Sequence, residues 1–386
     1  MRMRRFNVES VKTVAFGLVL WGASFVQAAL GPATNEVPKL VFGAVSDTHI
    51  MMSASGRGPS RRLDGEGFEK ALICFRAANV DAVVHCGDWA HRGHIREMEL
   101  SRQVWDRVFP NDALPNGQKV AKLFVTGNHD YFDVNDKSLA VYKCSEMAKM
   151  QMLCRDMPRQ WERIWGIPLT DKGFKHCCHY EVKGFHFLAS HWSEKDYTEL
   201  IPFSTQLKKS GVLTADEPLF VLTHSVLPAR TRRHLSKNFS TGINLFGHWH
   251  TPHTNANFAV RSAKSRMKSV EIPCSRKDCP TRHGYIVKVY ENRIVFECWD
   301  FDAKRKIRPD WVRPIAPPQK NSDAASGATV PPLARRHLVE ECKKMKKTKE
   351  VWFEAKLGSK HSSQPSNPPT NPSATNSARK FMRMVS

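Results

Sequence analysis

Beyond its first 28 residues the sequence has no apolar run long enough to cross a bilayer, which excludes a membrane-spanning helix there. It has no internal repeat, so it is not a solenoid or a propeller. None of its cysteine spacings is that of a zinc ribbon. Negative charge is scarce: 37 Asp and Glu stand against 59 Lys and Arg, a formal net charge of +22. That imbalance favours anionic partners such as phosphorylated substrates, nucleic acid or lipid headgroups, and says nothing of fold. At 386 residues and 41% hydrophobic, the chain can bury one large core or two ordinary ones.

The N-terminus reads as a secretory signal over residues 1–28. Arg2, Arg4, Arg5 and Lys12 form a basic stretch, residues 14–26 are nearly all apolar, and Val26-Gln27-Ala28 offers a small-residue cleavage site. Export to a periplasmic or extracellular space is therefore expected, and there disulfides become possible. Ten cysteines follow the cleavage site. Their pairing is open, with Cys144/Cys154 and Cys274/Cys279 as local candidates, while Cys74 and Cys86 sit in apolar contexts and read as buried thiols.

Along the body, residues 39–45 predict a buried strand, 66–78 a helix, 81–86 a second strand, 94–108 a helix and 122–126 a third strand. Such alternation argues for parallel βαβ units. Residues 134–165 read as mostly helical. Hairpins are predicted at 178–189 and 285–299, and further strands at 219–222 and 243–246, which together suggest a second sheet packed on the first. From residue 313 to 386 the chain turns rich in Pro and Ser and loses apolar periodicity, except for a basic segment at 335–349. That leaves 38–312 as the folded domain.

Five clusters of metal-binding residue types occur in order, each at the end of an apolar run. They are Asp47-Thr48-His49, Gly87-Asp88, Gly127-Asn128-His129-Asp130, His224 and Gly247-His248-Trp249-His250. Ligands gather at the carboxyl ends of parallel strands, where at least three of these clusters fall. Mixed carboxylate and imidazole donors suit first-row metal ions such as manganese, iron or zinc. Asp88, after a glycine turn, can bridge two ions, and residues two apart in an extended segment (His248 and His250) face one side. Two such ions form the clamp used to hydrolyse phosphate esters. His176, Cys177, Cys178 and His179 fit no closed tetrahedral pattern, and His85 and His91 read as lining or packing residues.

The ordered series D-x-H, G-D, G-N-H-D, H, G-H-x-H resembles the calcineurin-like metallophosphoesterases over roughly residues 38–300. The resemblance implies an α/β fold, a four-layer αββα sandwich of two mixed β-sheets. It implies a first metal on Asp47, His49, Asp88 and His250, and a second on Asp88, Asn128, His224 and His248. It also implies His129 as the histidine that contacts phosphate and protonates the leaving oxygen, with Asp130 orienting its ring. The reaction implied is in-line attack on phosphorus by a hydroxide bridging the two ions. The purple acid phosphatase tyrosine is absent, since Trp89-Ala90-His91 occupies that stretch, and His91 stands where many relatives carry Asp or Asn.

The sequence thus predicts an exported, dinuclear metal-dependent hydrolase of phosphomonoesters or phosphodiesters, with a nucleotide-type substrate favoured. A nuclease, or a non-catalytic binder of phosphorylated ligands or surface polymer, is the alternative. The stretch between Asp130 and His224 is expected to shape the substrate cleft, with His191, Trp192 and Arg230 as cleft residues. The basic tail is expected to touch an anionic envelope polymer or nucleic acid.

Overall fold

The computed structural model describes residues 36–51, 65–131, 153–192, 197–250, 260–261, 265–276 and 282–316. The signal segment, the basic tail segment 335–349, Cys144, Cys279, Cys342 and residues 134–152 lie outside them, so each expected cysteine pair has one member outside.

The chain alternates as expected at first: β1 (Leu40–Val45), α1 (Glu66–Ala77), β2 (Ala82–Cys86), α2 (Ile95–Val108), β3 (Ala121–Val125) and α3 (Met157–Trp165). A second series follows: β4 (Cys177–Val182), β5 (Phe185–Ser190), α4 (Leu200–Lys209), β6 (Leu219–Leu222), α5 (Ala229–Asn238) and β7 (Gly242–Phe246). The last strands are β8 (Val260–Arg261), β9 (Met267–Glu271), β10 (His283–Val289), β11 (Arg293–Asp300), β12 (Arg305–Lys306) and β13 (Trp311–Pro314).

Two mixed sheets result. The first runs β12-β11-β10-β1-β2-β3, with β13 also on β11; β1, β2 and β3 are parallel and β10 is antiparallel to β1. The second runs β4-β5-β6-β7-β9-β8, parallel from β5 through β9 and antiparallel at both edges. Alternation along each strand separates the faces. Phe42, Ala44, Val84, Leu123 and Val125 of the first sheet meet Phe187, Phe220, Leu222, Ile243 and Leu245 of the second in one buried cluster. Residues of opposite parity, such as Val83 and Phe124, pack under α1–α3 together with Leu72, Trp105 and Trp161. Leu188, Val221 and Leu219 pack under α4 and α5, on Phe203 and Leu235. The layers are therefore αββα, as the resemblance implied.

Two local devices bear on the site. Helix α2 opens with a reciprocal cap: His94 Nδ1 accepts from Arg96 N (3.1 Å), and Glu97 accepts from His94 N (3.4 Å). The same Glu97 oxygen accepts from Arg92 N at 2.8 Å, which pins the turn running from Asp88 into the helix. Helix α3 stops at Gly166, whose φ of 67° is the left-handed region that glycine adopts most readily.

One expectation needs correction, and one strand was not expected at all. The tail does not begin at 313: β13 pairs with β11 through Pro314, and Ala316 N donates to Thr241 Oγ1 at 3.0 Å. Of the helix expected over 134–165, residues 153–165 are described, and they are helical throughout, first as a 3-10 turn and then as α3. Strand β9 carries no apolar alternation in its sequence, MKSVE, yet it is buried at four of five positions, because it lies between β7 and β8 inside the second sheet. Among the described residues no helix is long and apolar enough to cross a membrane.

Candidate metal centre

The five clusters occupy the loops that follow β1, β2, β3, β6 and β7, so both sheets deliver them to one edge. The loops are stitched to one another. Asp47 N donates to Gly87 O (3.0 Å) and His49 N to Asp88 O (2.9 Å), while His248 N donates to Asp47 Oδ2 (3.0 Å) across the sheet boundary. The segment after β9 also clasps the first loop, with Ser275 N donating to Ser46 O and Cys274 Sγ to Asp47 O.

Close approach dictates the glycines. A Cβ on Gly127 would collide with Asp88 Oδ1, and one on Gly247 with Asp47 Oδ2. The backbone of the donors is itself unusual: Asp47, His49, Asp88, His248 and His250 all have φ between 44° and 75°. Left-handed backbone at non-glycine residues is uncommon and gathers at functional sites.

The donor atoms converge in two sets. In the first, His250 Nε2 lies 3.0 Å from Asp47 Oδ1 and 3.1 Å from His49 Nε2, and His49 Nε2 lies 3.4 Å from Asp88 Oδ2. In the second, Asn128 Oδ1 lies 3.0 Å from both His224 Nε2 and His248 Nδ1, and those nitrogens are 3.2 Å apart. His224 Nε2 is 3.3 Å from Asp88 Oδ2, so one carboxylate oxygen belongs to both sets. The Nδ1–H of His224 donates to Cys86 O at 2.7 Å, which directs the Nε2 lone pair into the cluster, as partners of metal-binding imidazoles commonly do. Paired nitrogen lone pairs beside carboxylate and amide oxygens are a donor set for cations, and the residues present fit two of them.

Burial pushes the His49 imidazole well down, helped by the neighbouring His129 and His250. Burial would raise the Asp47 carboxyl, but the His250 bond and the His224 charge outweigh it and hold it at about 2. Burial would likewise lower His224; the Asp88 and Asp47 charges prevail and lift it to about 9.

His129 sits beside the first set, its ring 4.5 Å from that of His49 and edge-on to it. Its backbone N–H donates to Asp88 Oδ1 (2.9 Å), and its Nδ1 meets His91 O at 2.8 Å. The structure thus corrects the role expected of Asp130. Its carboxylate accepts from Gly127 N (2.8 Å) and Ala90 N (2.9 Å), so it ties the second and third clusters together and leaves the His129 ring to His91. Burial pushes Asp130 up to about 8, with the Asp88 charge adding to it.

Of the expected cleft residues, Trp192 lies at the centre, its ring 5.1 Å from that of His248 and 5.4 Å from that of His224. His191 does not. It is fully buried, accepts from Thr126 N (3.1 Å), and burial holds it down at about 3. Arg230 is exposed in the first turn of α5. His85 packs as expected, stacked 3.5 Å from Trp89 and bonded to Thr48. His91 joins His49 and His129 in a trio of imidazoles, a grouping with no signal in its sequence spacing. Cys177 and Cys178 point into different cores, and His179 pairs with His186 instead. Thr251-Pro252-His253 lies outside the described residues. Trp249, between two donor histidines, is 40% exposed.

The profile of the calcineurin-like phosphoesterases matches residues 40–252, which hold every one of these donors. The chain belongs to that family. It is a metal-dependent phosphoric ester hydrolase with the donors of a dinuclear site. No curated protein matches it. Among solved structures it is similar to a dimetal phosphatase from Danio rerio, at 14% identity and TM-score 0.42, over 72% of this chain and all of that one. A purple acid phosphatase from yellow lupin (Lupinus luteus) seeds is similar at 13% identity and TM-score 0.45, over 76% of this chain and 57% of that one. Vps29 from Entamoeba histolytica is similar at 9% identity and TM-score 0.30, over 72% of this chain and all of that one.

Proposed function

We propose that this phosphoesterase is exported and hydrolyses a phosphomonoester or phosphodiester of nucleotide type at a centre loaded with manganese, iron or zinc. The observation that carries the reading is the shared oxygen, Asp88 Oδ2, at 3.4 Å from His49 Nε2 and 3.3 Å from His224 Nε2. Asp47, His49, Asp88 and His250 would hold one ion, and Asp88, Asn128, His224 and His248 the other. Two such cations, when bound, neutralise phosphate charge and lower the pKa of water towards neutrality.

The chain supplies the rest. His129, with Nδ1 engaged by the His91 carbonyl, has Nε2 to deliver a proton to the leaving oxygen. Asp130 fixes the two turns that aim Asp88 and Asn128. Trp192 and Trp249 present aromatic surface beside the donors, which suits a base or another flat leaving group.

The test is hydrolysis of bis-p-nitrophenyl phosphate and p-nitrophenyl phosphate by chelated protein given back manganese, iron or zinc. Metal-restored turnover supports the reading, and the ratio of the two rates separates diester from monoester preference. A folded, metal-loaded protein with no turnover on either overturns it. Export rests on the basic-apolar N-terminus; a full-length chain retained in the cytoplasm, by mass spectrometry of cell fractions, would refute it.

A further inference from the structure

The two helical layers carry charge in different ways. Helices α1 and α2 balance theirs: Lys70 pairs with Glu66, Arg96 with Glu99, Arg102 with Asp106 and Arg107 with Glu69. In α3, Arg163 reaches Glu99 at 2.7 Å. Helices α4 and α5, LIPFSTQLKK and ARTRRHLSKN, hold six Lys and Arg and no Asp or Glu. Arg230, Arg233, Lys237 and Lys209 are exposed, and none has a carboxylate partner among the described residues. Of the acidic residues bordering the layer, Glu199 is bonded to the backbone of Lys175 and His176, and Glu217 faces His186. Lys208 and Arg232 bond the Asn238 and Leu227 carbonyls, but the four exposed cations raise the electrostatic energy of the native fold without serving the buried face, which Phe203 and Leu235 supply.

Their arrangement is a line. Arg230, Arg233, His234 and Lys237 recur at i, i+3, i+4 and i+7, one stripe of α5. At 1.5 Å per residue it spans about 10 Å. It starts on the edge of the second sheet that carries the metal centre, because α5 begins at Ala229, five residues after His224, on the edge where β6 ends. That connection is held in place: Ser225 N donates to Tyr197 Oη (2.9 Å) and Leu227 N to Asn244 Oδ1 (3.3 Å). The stripe ends in a cleft of about 270 Å³ between the two helices, lined by Lys208, Lys209, His234, Ser204 and Thr205. Burial lowers the His234 imidazole, and the Lys208 and Lys237 charges lower it further, a sign of the positive potential there.

We propose that the α4–α5 face is a docking track for a single nucleic-acid strand whose scissile phosphate lies at the metal centre and whose flanking phosphates lie along Arg230, Arg233, Lys237 and Lys209. This rests on the phosphoesterase reading and extends it to a polymeric diester substrate. An isolated nucleotide would leave the far end of the line unused, whereas a strand brings a phosphate to each cation. A flat lipid surface would use the exposed charges but not the cleft.

The probe is an oligothymidylate of about twelve residues, compared with bis-p-nitrophenyl phosphate on manganese-loaded enzyme. The variant is Lys209→Gln/Arg233→Gln/Lys237→Gln, all exposed side chains. Wild-type kcat/KM for the oligomer should fall with salt, by a log–log slope of about −3 for four contacts at about −0.7 each. In the variant that slope should flatten to about −0.7, the share of the remaining Arg230, and KM for the oligomer should rise about tenfold or more at low salt with kcat unchanged, because the track binds ground and transition states alike. Hydrolysis of bis-p-nitrophenyl phosphate should not change.

Equal oligomer kinetics in variant and wild type overturn the proposal. So does wild-type enzyme that turns over bis-p-nitrophenyl phosphate but ignores the oligomer. If neither substrate is turned over, the phosphoesterase reading has failed. Binding of the labelled oligomer, by fluorescence anisotropy, then decides the track alone, and equal affinity in the two proteins overturns it. Sedimentation with phosphatidylglycerol vesicles that needs the three residues, beside oligomer binding that does not, replaces the strand with a lipid surface.

Discussion

The two sheets contribute different chemistry to one centre. Loops of the first sheet provide every oxygen donor, Asp47, Asp88 and Asn128, together with His49 and the neighbouring His129. Loops of the second provide only imidazoles, His224, His248 and His250. Neither sheet alone holds a complete set, because each metal position draws on both. The bonds that cross between them, His248 N to Asp47 and His224 Nδ1 to Cys86 O, are therefore part of the centre, and so is the apolar interface beneath. Sheet docking therefore positions the candidate donors as much as the loops themselves do.

The most severe way to break that division is Asp88→Asn, which removes the oxygen common to both sets. Turnover should fall about 10³-fold or more, with loss of at least one bound metal by elemental analysis. Two retained metals with undiminished turnover would show that Asp88 is not the junction. Next, His129→Ala should lower kcat by about 10²–10⁴-fold for an ester with a poor leaving group. It should cost much less for p-nitrophenolate, which departs without a proton, while metal content stays the same. An equal loss on both leaving groups would remove the proton-donor role.

The third perturbation touches the docking itself. Phe42, on the first sheet, meets Phe187 and Phe220 of the second edge-on at 5.5 and 5.3 Å. Phe42→Ala should cost about 3–5 kcal/mol of stability. It should also weaken metal retention although no donor has changed, and titration with a chelator reads this directly. Unaltered metal affinity in a destabilised variant would uncouple the centre from the interface.

The smallest effect is a control at the edge of the first sheet. Burial would raise the Glu297 carboxyl, but bonds from Lys288 and Trp299 and the charges of Lys288 and Lys306 hold it below its ordinary value. A carboxyl lowered in the folded state stabilises above its unfolded pKa, and that stability disappears as pH falls through the folded value. Glu297→Gln should therefore melt slightly below wild type at neutral pH and converge with it in acid, once pH falls through the lowered folded-state value, with metal content unaffected. A gap that widens in acid would reverse the sign.

Much of this was legible in the chain itself. The donors advertise themselves because each follows an apolar strand and sits beside a small or polar residue that permits a tight turn; Gly87, Gly127 and Gly247 make the pattern visible. The parallel core was legible for the same reason, since β1, β2 and β3 are buried on both faces and read as continuous apolar runs. Strand β9 was not, because its Ser269 and Glu271 are buried by neighbours that no local pattern announces. The partner of the His129 ring was equally hidden. A backbone carbonyl has no signature, so nothing in the chain could set it against Asp130, the orienting group that the resemblance implied, which the fold instead turns towards Gly127 and Ala90. Helix α5 escaped because Leu235 is nearly its whole apolar content.

The left-handed backbone at Asp47, His49, Asp88, His248 and His250 has a consequence for anyone who would redesign this centre. At such dihedrals an ordinary side chain costs roughly 1–2 kcal/mol, and asparagine, aspartate and glycine fit best. The alphabet open to a new metal specificity is therefore narrow before any ligand chemistry is considered. A cysteine or glutamate introduced at these five positions has to bend the loop to enter it. Asn128 is not among them, which makes it the position from which a graded change of metal preference is easiest to engineer.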